Sequence, residues 1–495
     1  MGSIADRLDT SRYPLMLILM IAISAFIGIV AGVRASFQFR TMFYALTLTN
    51  LLIAAYLLLL KDITFGIIVY LYALTFLNFY WRIVIPGHWP DLDLPRLVFV
   101  FIWVLFLLEL SMGSRRLLPR TKTEVMMLLM VIAIIISMLT NGSVRIRKLL
   151  NGFAVPFAMF VVAKHVFASR RNVDRLLYWF AVPLSVYFPV NHMFEHYRID
   201  QLVFPRYILN PEVAGRIVEH GERTTGTFLQ ASATGLAMVA CFVLSLHALS
   251  RVRGILARLM MFFLTAITPV AVFFSYTRSV YLGFFSAMVI ILVFSRRLKM
   301  YALIIILAIG LGVMGNWANV TTEDRAAGGL ATKTTVVSRL AHVSASLRMF
   351  ADHPFFGVGF LNFQEAAKPY VGGVRTTILG YRESWVGKGV NLHNHFLNVL
   401  TEIGLMGFVP LVLIFYFLFR ILFKARLMHS EVFDRDFVVC TWAIFAQYLS
   451  ASNFMDPTFY EFMNVLPFLL AGIIAGAYQR QMLQRSGATV LLKGA

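Results

Sequence analysis

Long apolar runs separated by short basic links dominate this chain. Runs near 14–33, 42–60, 63–82, 97–112, 125–140, 153–168 and 176–194 fill its first part, and seven more follow near 227–249, 259–275, 279–294, 301–317, 396–422, 437–452 and 462–478. Most approach the ~18–20 uncharged residues that span a bilayer as a helix. The runs are continuous, whereas the strands of a membrane β-barrel would alternate apolar and polar positions. The pattern predicts an all-α, polytopic helical membrane protein with fourteen candidate spans, or about twelve if several short early runs do not cross. Pro14 to Val33 is too long for a signal-peptide core and lacks a clear cleavage site, so it reads as a retained first helix.

Two polar segments interrupt the apolar pattern, Glu195 to Thr225 and the longer Ala318 to Leu392. Links beyond ~12–15 residues are usually functional or disordered. The longer one carries Phe355, Phe356, Phe360, Phe363, Tyr370, Tyr381 and Trp385, too many aromatic residues for a disordered tether. Within it Val336, Leu340, Val343, Leu347 and Phe350 recur at helical spacing, with Arg339, His342 and Ser346 on the other side. Such a helix would rest in the membrane interface or cap a cavity. The run from His353-Pro354 to Gly359 would end it. No internal repeat and no separate soluble domain stand out.

Composition sharpens the class. Of 495 residues, 59% are hydrophobic and mean hydropathy is +0.76, above the ~45–50% apolar usage of soluble domains. The net charge of +20 would point to nucleic acid in a soluble protein. Here the cations sit in short links, where they orient helices and meet anionic lipid, so no nucleic-acid partner is expected. Clusters at Arg115/Arg116/Arg120/Lys122, Arg170/Arg171/Arg175, Arg251/Arg253/Arg258, Arg296/Arg297/Lys299, Lys424/Arg426/Arg435 and Arg480/Arg485/Lys493 all fall on one side of a fourteen-span arrangement. The positive-inside rule makes that side the cytoplasm. The link holding Arg145, Arg147 and Lys148 then faces outward, against the rule. Cys241 and Cys440 both lie in apolar runs, which reads as packing and not as a disulfide.

Candidate chemistry gathers where spans meet the outward side. Asn391-Leu392-His393-Asn394-His395 opens an apolar helix. Imidazole exchanges a proton near neutral pH, and a helix N-terminus presents unpaired N–H groups that suit an anion. The plainer reading of the pair of asparagines is helix capping. His393 and His395, two residues apart, point to different sides, so one of them faces a given substrate. His395, Asn398 and Glu402 share a face, and a carboxylate at the Glu402 depth calls for a histidine or arginine partner. Arg223, in Glu222-Arg223-Thr224-Thr225-Gly226, and Arg278, in Tyr276-Thr277-Arg278-Ser279, stand beside small hydroxyl residues in outward links. Guanidinium forks onto phosphate oxygens. A lone arginine there more often snorkels to lipid head groups, and for Arg348 and Arg339 the two readings balance. Asp91-Leu92-Asp93 is a weak match to a divalent-ion pair amid turn residues, so no metal and no cofactor are expected.

Together these segments resemble the O-antigen ligases and the related O-antigen and exopolysaccharide polymerases. Members carry His-Asn, nine residues, then Gly-x-x-Gly after a large periplasmic loop; here those are His393-Asn394 and Gly404-Leu405-Met406-Gly407. The family's arginine with a glycine eleven positions on matches Arg348 and Gly359, and the Arg223 and Arg278 segments resemble its two essential-arginine segments. The chain departs from the pattern in its expected span number, where ligases usually have twelve, and in the additional His395.

The resemblance implies glycosyl transfer at the periplasmic face of a bacterial inner membrane. The implied donor is an undecaprenyl-pyrophosphate-linked glycan. The acceptor is a lipid A–core or a second lipid-linked glycan, with membrane lipids around both. His393 is then the base, and Arg223 and Arg278 match the pyrophosphate charge. Arg348, Arg339, His395, Asn394, Glu402 and Tyr276 are candidates for substrate binding. The implied organisation is 1–222 N-terminal spans, 223–423 a ligase-like catalytic region holding the 318–392 loop, and 424–495 C-terminal spans. Two other classes remain open, a lipid-linked glycan transporter or flippase and a metal-dependent polyprenyl-phosphate sugar transferase using Asp91 and Asp93. Transport without an acceptor, or activity lost with EDTA, would favour one or the other.

Overall fold

With no water to hydrogen-bond a backbone in lipid, the apolar runs have one economical solution, the helix. A computed structural model describes residues 62–77, 82–83, 92–142, 144–210, 224–315, 317, 333–371 and 392–486. The expected spans 14–33 and 42–60, Asp91, Arg223 and parts of the 318–392 stretch lie outside those residues.

The helices are α1 (Ile63–Phe76), α2 (Leu94–Ser111), α3 (Lys122–Thr140), α4 (Ile146–Val166) and α5 (170–196). After a polar link come α6 (Ala231–Ser250), α7 (Ile255–Phe273), α8 (Arg278–Phe294) and α9 (Lys299–Gly315). The last group is α10 (Lys333–Asp352), α11 (His395–Glu402), α12 (Leu405–Arg426), α13 (Arg435–Ser452) and α14 (Glu461–Arg485). Of these α2, α3, α4, α6, α7, α12 and α14 are long and apolar enough to cross a membrane, and α1, α8 and most of α9 are apolar but shorter. The protein is a multi-pass helical membrane protein. A two-residue antiparallel pairing, Arg82–Ile83 with Leu92–Asp93, is the β structure among the described residues.

Burial separates centre from rim. The apolar window of α6 is 100% buried and that of α14 94%, against 33% for α7 and 39% for α12. Rim helices turn Leu256, Phe262 and Tyr416 outward, as lipid-facing surfaces do. The central contact is α14 on α4. A Cβ on Gly472 would lie 2.4 Å from the Phe160 carbonyl, and one on Gly476 2.0 Å from that of Lys164. Two glycines one turn apart let the backbones touch, the usual device for packing helices in lipid.

A short repeat, missed in the sequence, shapes α4 and α5. Lys148-Leu149-Leu150-Asn151-Gly152-Phe153-Ala154-Val155-Pro156 is echoed by Arg175-Leu176-Leu177-Tyr178-Trp179-Phe180-Ala181-Val182-Pro183. Each copy contains a π turn, Leu150–Ala154 and Leu177–Ala181, and in each the valine N–H reaches back five residues, to Leu150 and to Leu177. Proline has no N–H and crowds the carbonyl four residues earlier, so the widened turn absorbs it. The copies point opposite ways across the molecule, one from each end.

Contacts sort the helix ends into two faces. On one, Arg175 pairs with Asp62 at 2.5 Å and Arg251 with Asp174 at 2.7 Å. Arg115 reaches the His165 carbonyl, Arg480 that of Phe167, and Lys164 pairs with Glu124. Arg297 and His247 both meet Asp434 there. This basic face gathers the clusters expected to share one side. The opposite face holds the Arg145–Lys148 link, the end of α5, the α7–α8 and α13–α14 links and the start of α11.

Two expectations need correction. The single span 396–422 is two helices, because the chain breaks at Gly404. On α10 the side packed inward carries His342, Ala345, Ser346 and Met349, while Leu347 of the apolar stripe is half exposed. The polar side of this helix meets protein, and Leu347 faces outward.

Candidate functional site

The site begins at the broken helix. After α10 stops at Asp352, the chain His353-Pro354-Phe355-Phe356-Gly357-Val358-Gly359 lies against the α11–α12 junction. Leu405 N–H donates to the Pro354 carbonyl at 2.8 Å and Met406 N–H to Phe355 at 3.2 Å. In return Val358 N–H donates to Thr401 at 3.0 Å and Gly359 N–H to Glu402 at 3.0 Å. Gly357 and Gly404 sit at φ 66° and 69°, the left-handed region that glycine enters freely. A Cβ on Gly357 would meet the Glu402 backbone at 2.3 Å, and one on Gly404 the Phe355 carbonyl at 2.4 Å. The two glycine motifs of the sequence are thus two sides of one backbone contact.

Glu402 fastens the same contact. Its carboxylate accepts from Leu361 N–H at 3.0 Å and Phe363 N–H at 3.4 Å. The Ser137 hydroxyl lies 2.8 Å from its carbonyl oxygen and 3.1 Å from that of Phe356. The expected histidine or arginine partner is replaced by two backbone amides, which this loop, and no local pattern, brings there. Burial pushes the Glu402 carboxyl up to about 8, against the pull of those N–H donors.

At the other end of α11, Asn394 caps the helix by accepting from Leu397 N–H at 3.0 Å, and its amide reaches the Asn453 carbonyl at 3.4 Å. His395 is 2% exposed. Its Nδ1 sits 3.2 Å from Asp456 Oδ1, and its ring stacks on Phe153 with centroids 6.1 Å apart. Asn398 Nδ2 donates to Asp456 Oδ2 at 3.0 Å. Thr458 donates to Oδ1 from N–H at 3.0 Å and from its hydroxyl at 2.6 Å. Burial alone would raise the Asp456 carboxyl; Lys148, His395 and the Thr458 hydroxyl outweigh it and hold the group well below the usual range. His393, one residue ahead of the cap, is exposed. The two histidines do part, one outward and one inward.

A second corner forms at the end of α5. Glu195 accepts from Thr225 N–H at 2.6 Å and from Gly226 N–H at 2.9 Å, and His192 Nε2 lies 2.6 Å from the Thr224 hydroxyl. These contacts anchor the residues that directly follow Arg223. His196 stacks on Phe274 at 4.1 Å and touches Tyr276, which bends the α7–α8 link at φ 44°. Arg278 opens α8, half-buried. The corners join: Phe228 packs on Phe462 at 5.3 Å.

The remaining candidates spread over α10. The Arg339 guanidinium lies over the Phe454 ring at 5.5 Å, next to Asn453, whereas Arg348 is exposed. Asp93 caps α2 through Arg96 N–H at 2.9 Å and pairs with the Arg96 guanidinium at 3.0 Å, so it is engaged in helix capping. Asp456, Thr458, Lys148, Glu195 and His192 escaped the sequence reading. Asp456 had a signal: it is the one acid between Asp436 and Glu461, set in an outward Asp-Pro-Thr link.

The family model for O-antigen ligase matches residues 260–412. That stretch is similar to the O-antigen ligase domain. A comparison with curated proteins found no match. The O-antigen ligase match covers under a third of the chain, from α7 to the first turns of α12, and takes in Tyr276, Arg278, α10, His393 and both glycine motifs. It stops short of the Asp456 link that holds α11, and begins after the Glu195 clamp. The match supports a glycan-transferring role for this membrane protein.

Proposed function

We propose that the protein moves a glycan from undecaprenyl pyrophosphate to a sugar hydroxyl at the periplasmic face of a bacterial inner membrane, as an O-antigen ligase or surface-polysaccharide polymerase. One observation carries the reading: His393 is exposed on a turn whose next residues are capped, buried and bonded to Asp456. A general base needs both access and a fixed position. The side follows from charge, since the basic face lies opposite the His393 face and basic residues stay in the cytoplasm.

The step conserves atoms simply. The acceptor oxygen attacks the anomeric carbon, and His393 takes its proton. The bond from that carbon to the pyrophosphate oxygen breaks, and the electron pair leaves with undecaprenyl pyrophosphate. Attack opposite the leaving group inverts the anomeric centre. Arg223 and Arg278, carried on segments tied to the end of α5, offset the charge growing on the diphosphate. Arg339 and Arg348 on α10 are the cations assigned here to substrate binding. Apolar rim helices accommodate the polyprenyl tail.

The test is reconstitution with purified undecaprenyl-pyrophosphate glycan, offering lipid A–core or a second lipid-linked repeat as acceptor. A ligase elongates the first and a polymerase the second. Movement of donor across vesicles lacking any acceptor, with no transfer in either arm, would replace this reading by transport.

A further inference from the structure

The positive-inside rule leaves one anomaly, the basic link Arg145–Lys148 on the face opposite the other basic clusters. Arg145 and Arg147 are exposed there, but the Lys148 ammonium is buried and has no hydrogen-bond partner among the described residues. It lies over the Phe459 ring. Asp456 and Glu402 are the carboxylates that act on it electrostatically. A buried ammonium with no hydrogen bond is costly unless a carboxylate compensates it. The approach has a visible cause. The π turn after Lys148 brings Gly152 so close to the α13–α14 link that a Cβ there would come 2.9 Å from Thr458. In the second copy of the repeat the matching position is Arg175, which meets Asp62 at the basic face.

We infer that Lys148 is a positioning residue of the candidate site: it is the buried cation against which Asp456 is held, and through Asp456 it holds the turn that carries His393. This rests on the function proposed above. Asp456 binds His395 and Asn398 on the first turn of α11, so losing its charge or place frees the helix start that presents His393. The groups facing Asp456 are Lys148 from α4, His395 from α11, Tyr448 from α13 and Tyr460 from its own link, with Glu402 at longer range. Of these Lys148 supplies the ammonium. Without it, Asp456 would protonate at higher pH, by about one unit or more for an opposite charge removed at close range.

The full chain in lipid nanodiscs tests this with Lys148→Met, Lys148→Arg, Asp456→Asn and the Lys148→Met/Asp456→Asn pair. Transfer from undecaprenyl-pyrophosphate glycan and thermal unfolding are both followed from acid to neutral pH. Lys148→Met should lower kcat roughly tenfold, short of the ~10²–10⁴ a positioned base supplies, with donor KM little changed. The acid limbs of both profiles should move to higher pH, and Lys148→Arg should restore them. Adding Lys148→Met to Asp456→Asn should cost little more than Asp456→Asn alone. Unmoved acid limbs in Lys148→Met, or fully additive losses in the pair, overturn the inference. If the wild type transfers no glycan, the proposed function fails, while the unfolding profiles still decide whether Lys148 and Asp456 act together.

Discussion

The two faces of this protein use charge in opposite ways. On the basic face, side-chain cations are matched by side-chain acids and carbonyls: Arg175 with Asp62, Arg251 with Asp174, Lys164 with Glu124, Arg480 with the Phe167 carbonyl. On the opposite face the buried acids nearest the candidate site are used as architecture. Glu195 holds two backbone N–H groups, Glu402 holds two more, and Asp456 holds Thr458, His395 and Asn398. Acids spent on backbone and helix starts do not neutralise arginine.

The sharpest break of that comparison is at the histidine pair. His393→Ala should cut transfer by ~10²–10⁴ and leave the melting temperature nearly unchanged, because the ring is exposed. His395→Ala should instead destabilise the protein, since it empties a site walled by Phe153 and leaves Asp456 short of a partner. A His393→Ala enzyme with normal turnover would sink the base assignment. Next, Arg278→Ala should lower kcat by ~10²–10³, the usual effect of removing a charge-stabilising donor, with folding intact by circular dichroism.

The architectural acids and glycines come next in size. Gly404→Ala sets a Cβ against the Phe355 carbonyl in a left-handed conformation, and should cost about 3 kcal/mol or more, read as a lower unfolding midpoint. For Glu402 the sign is worked from its raised value. The folded state favours the protonated carboxyl, so this contribution is complete below the unfolded value, near 4.5, and is lost as pH rises through about 8. Thermal stability should therefore fall from about pH 4.5 to about pH 8 by this route, and Glu402→Gln should flatten the slope. A slope that survives Glu402→Gln assigns it elsewhere.

The smallest effect belongs to the basic face. Arg297→Ala removes a 3.4 Å pair with Asp434 in which the arginine is 54% exposed. Exposed pairs are worth about 0–1 kcal/mol, and transfer should not change. A large loss of activity there would erase the contrast between the faces.

Much of the site was legible because its signals are local. The His393-Asn394 segment sits at a helix start, and the inward and outward parting of His393 and His395 follows from helical geometry alone. The common face of His395, Asn398 and Glu402 holds, since all three are buried. What was not legible is what they touch. The glycines of two distant motifs press on each other, and no spacing rule pairs Gly357 with Gly404. The nine-residue echo ending in Val155-Pro156 and Val182-Pro183 stands in the sequence, but its meaning shows only in the structure, as two matching π turns.

By itself the sequence located most of the described helices, showed which face gathers the cations, and set His393 and Arg278 on the other. Those follow from hydrophobic run length and from charge, which are properties of short segments and of the bilayer. Only the tertiary structure decided that one expected span is broken, that Asp456 underlies the histidine turn, and that the Lys148 ammonium lies over Phe459, in the link that carries that acid. Those outcomes depend on which helices touch and how closely, and glycines and prolines far apart in the chain set that distance.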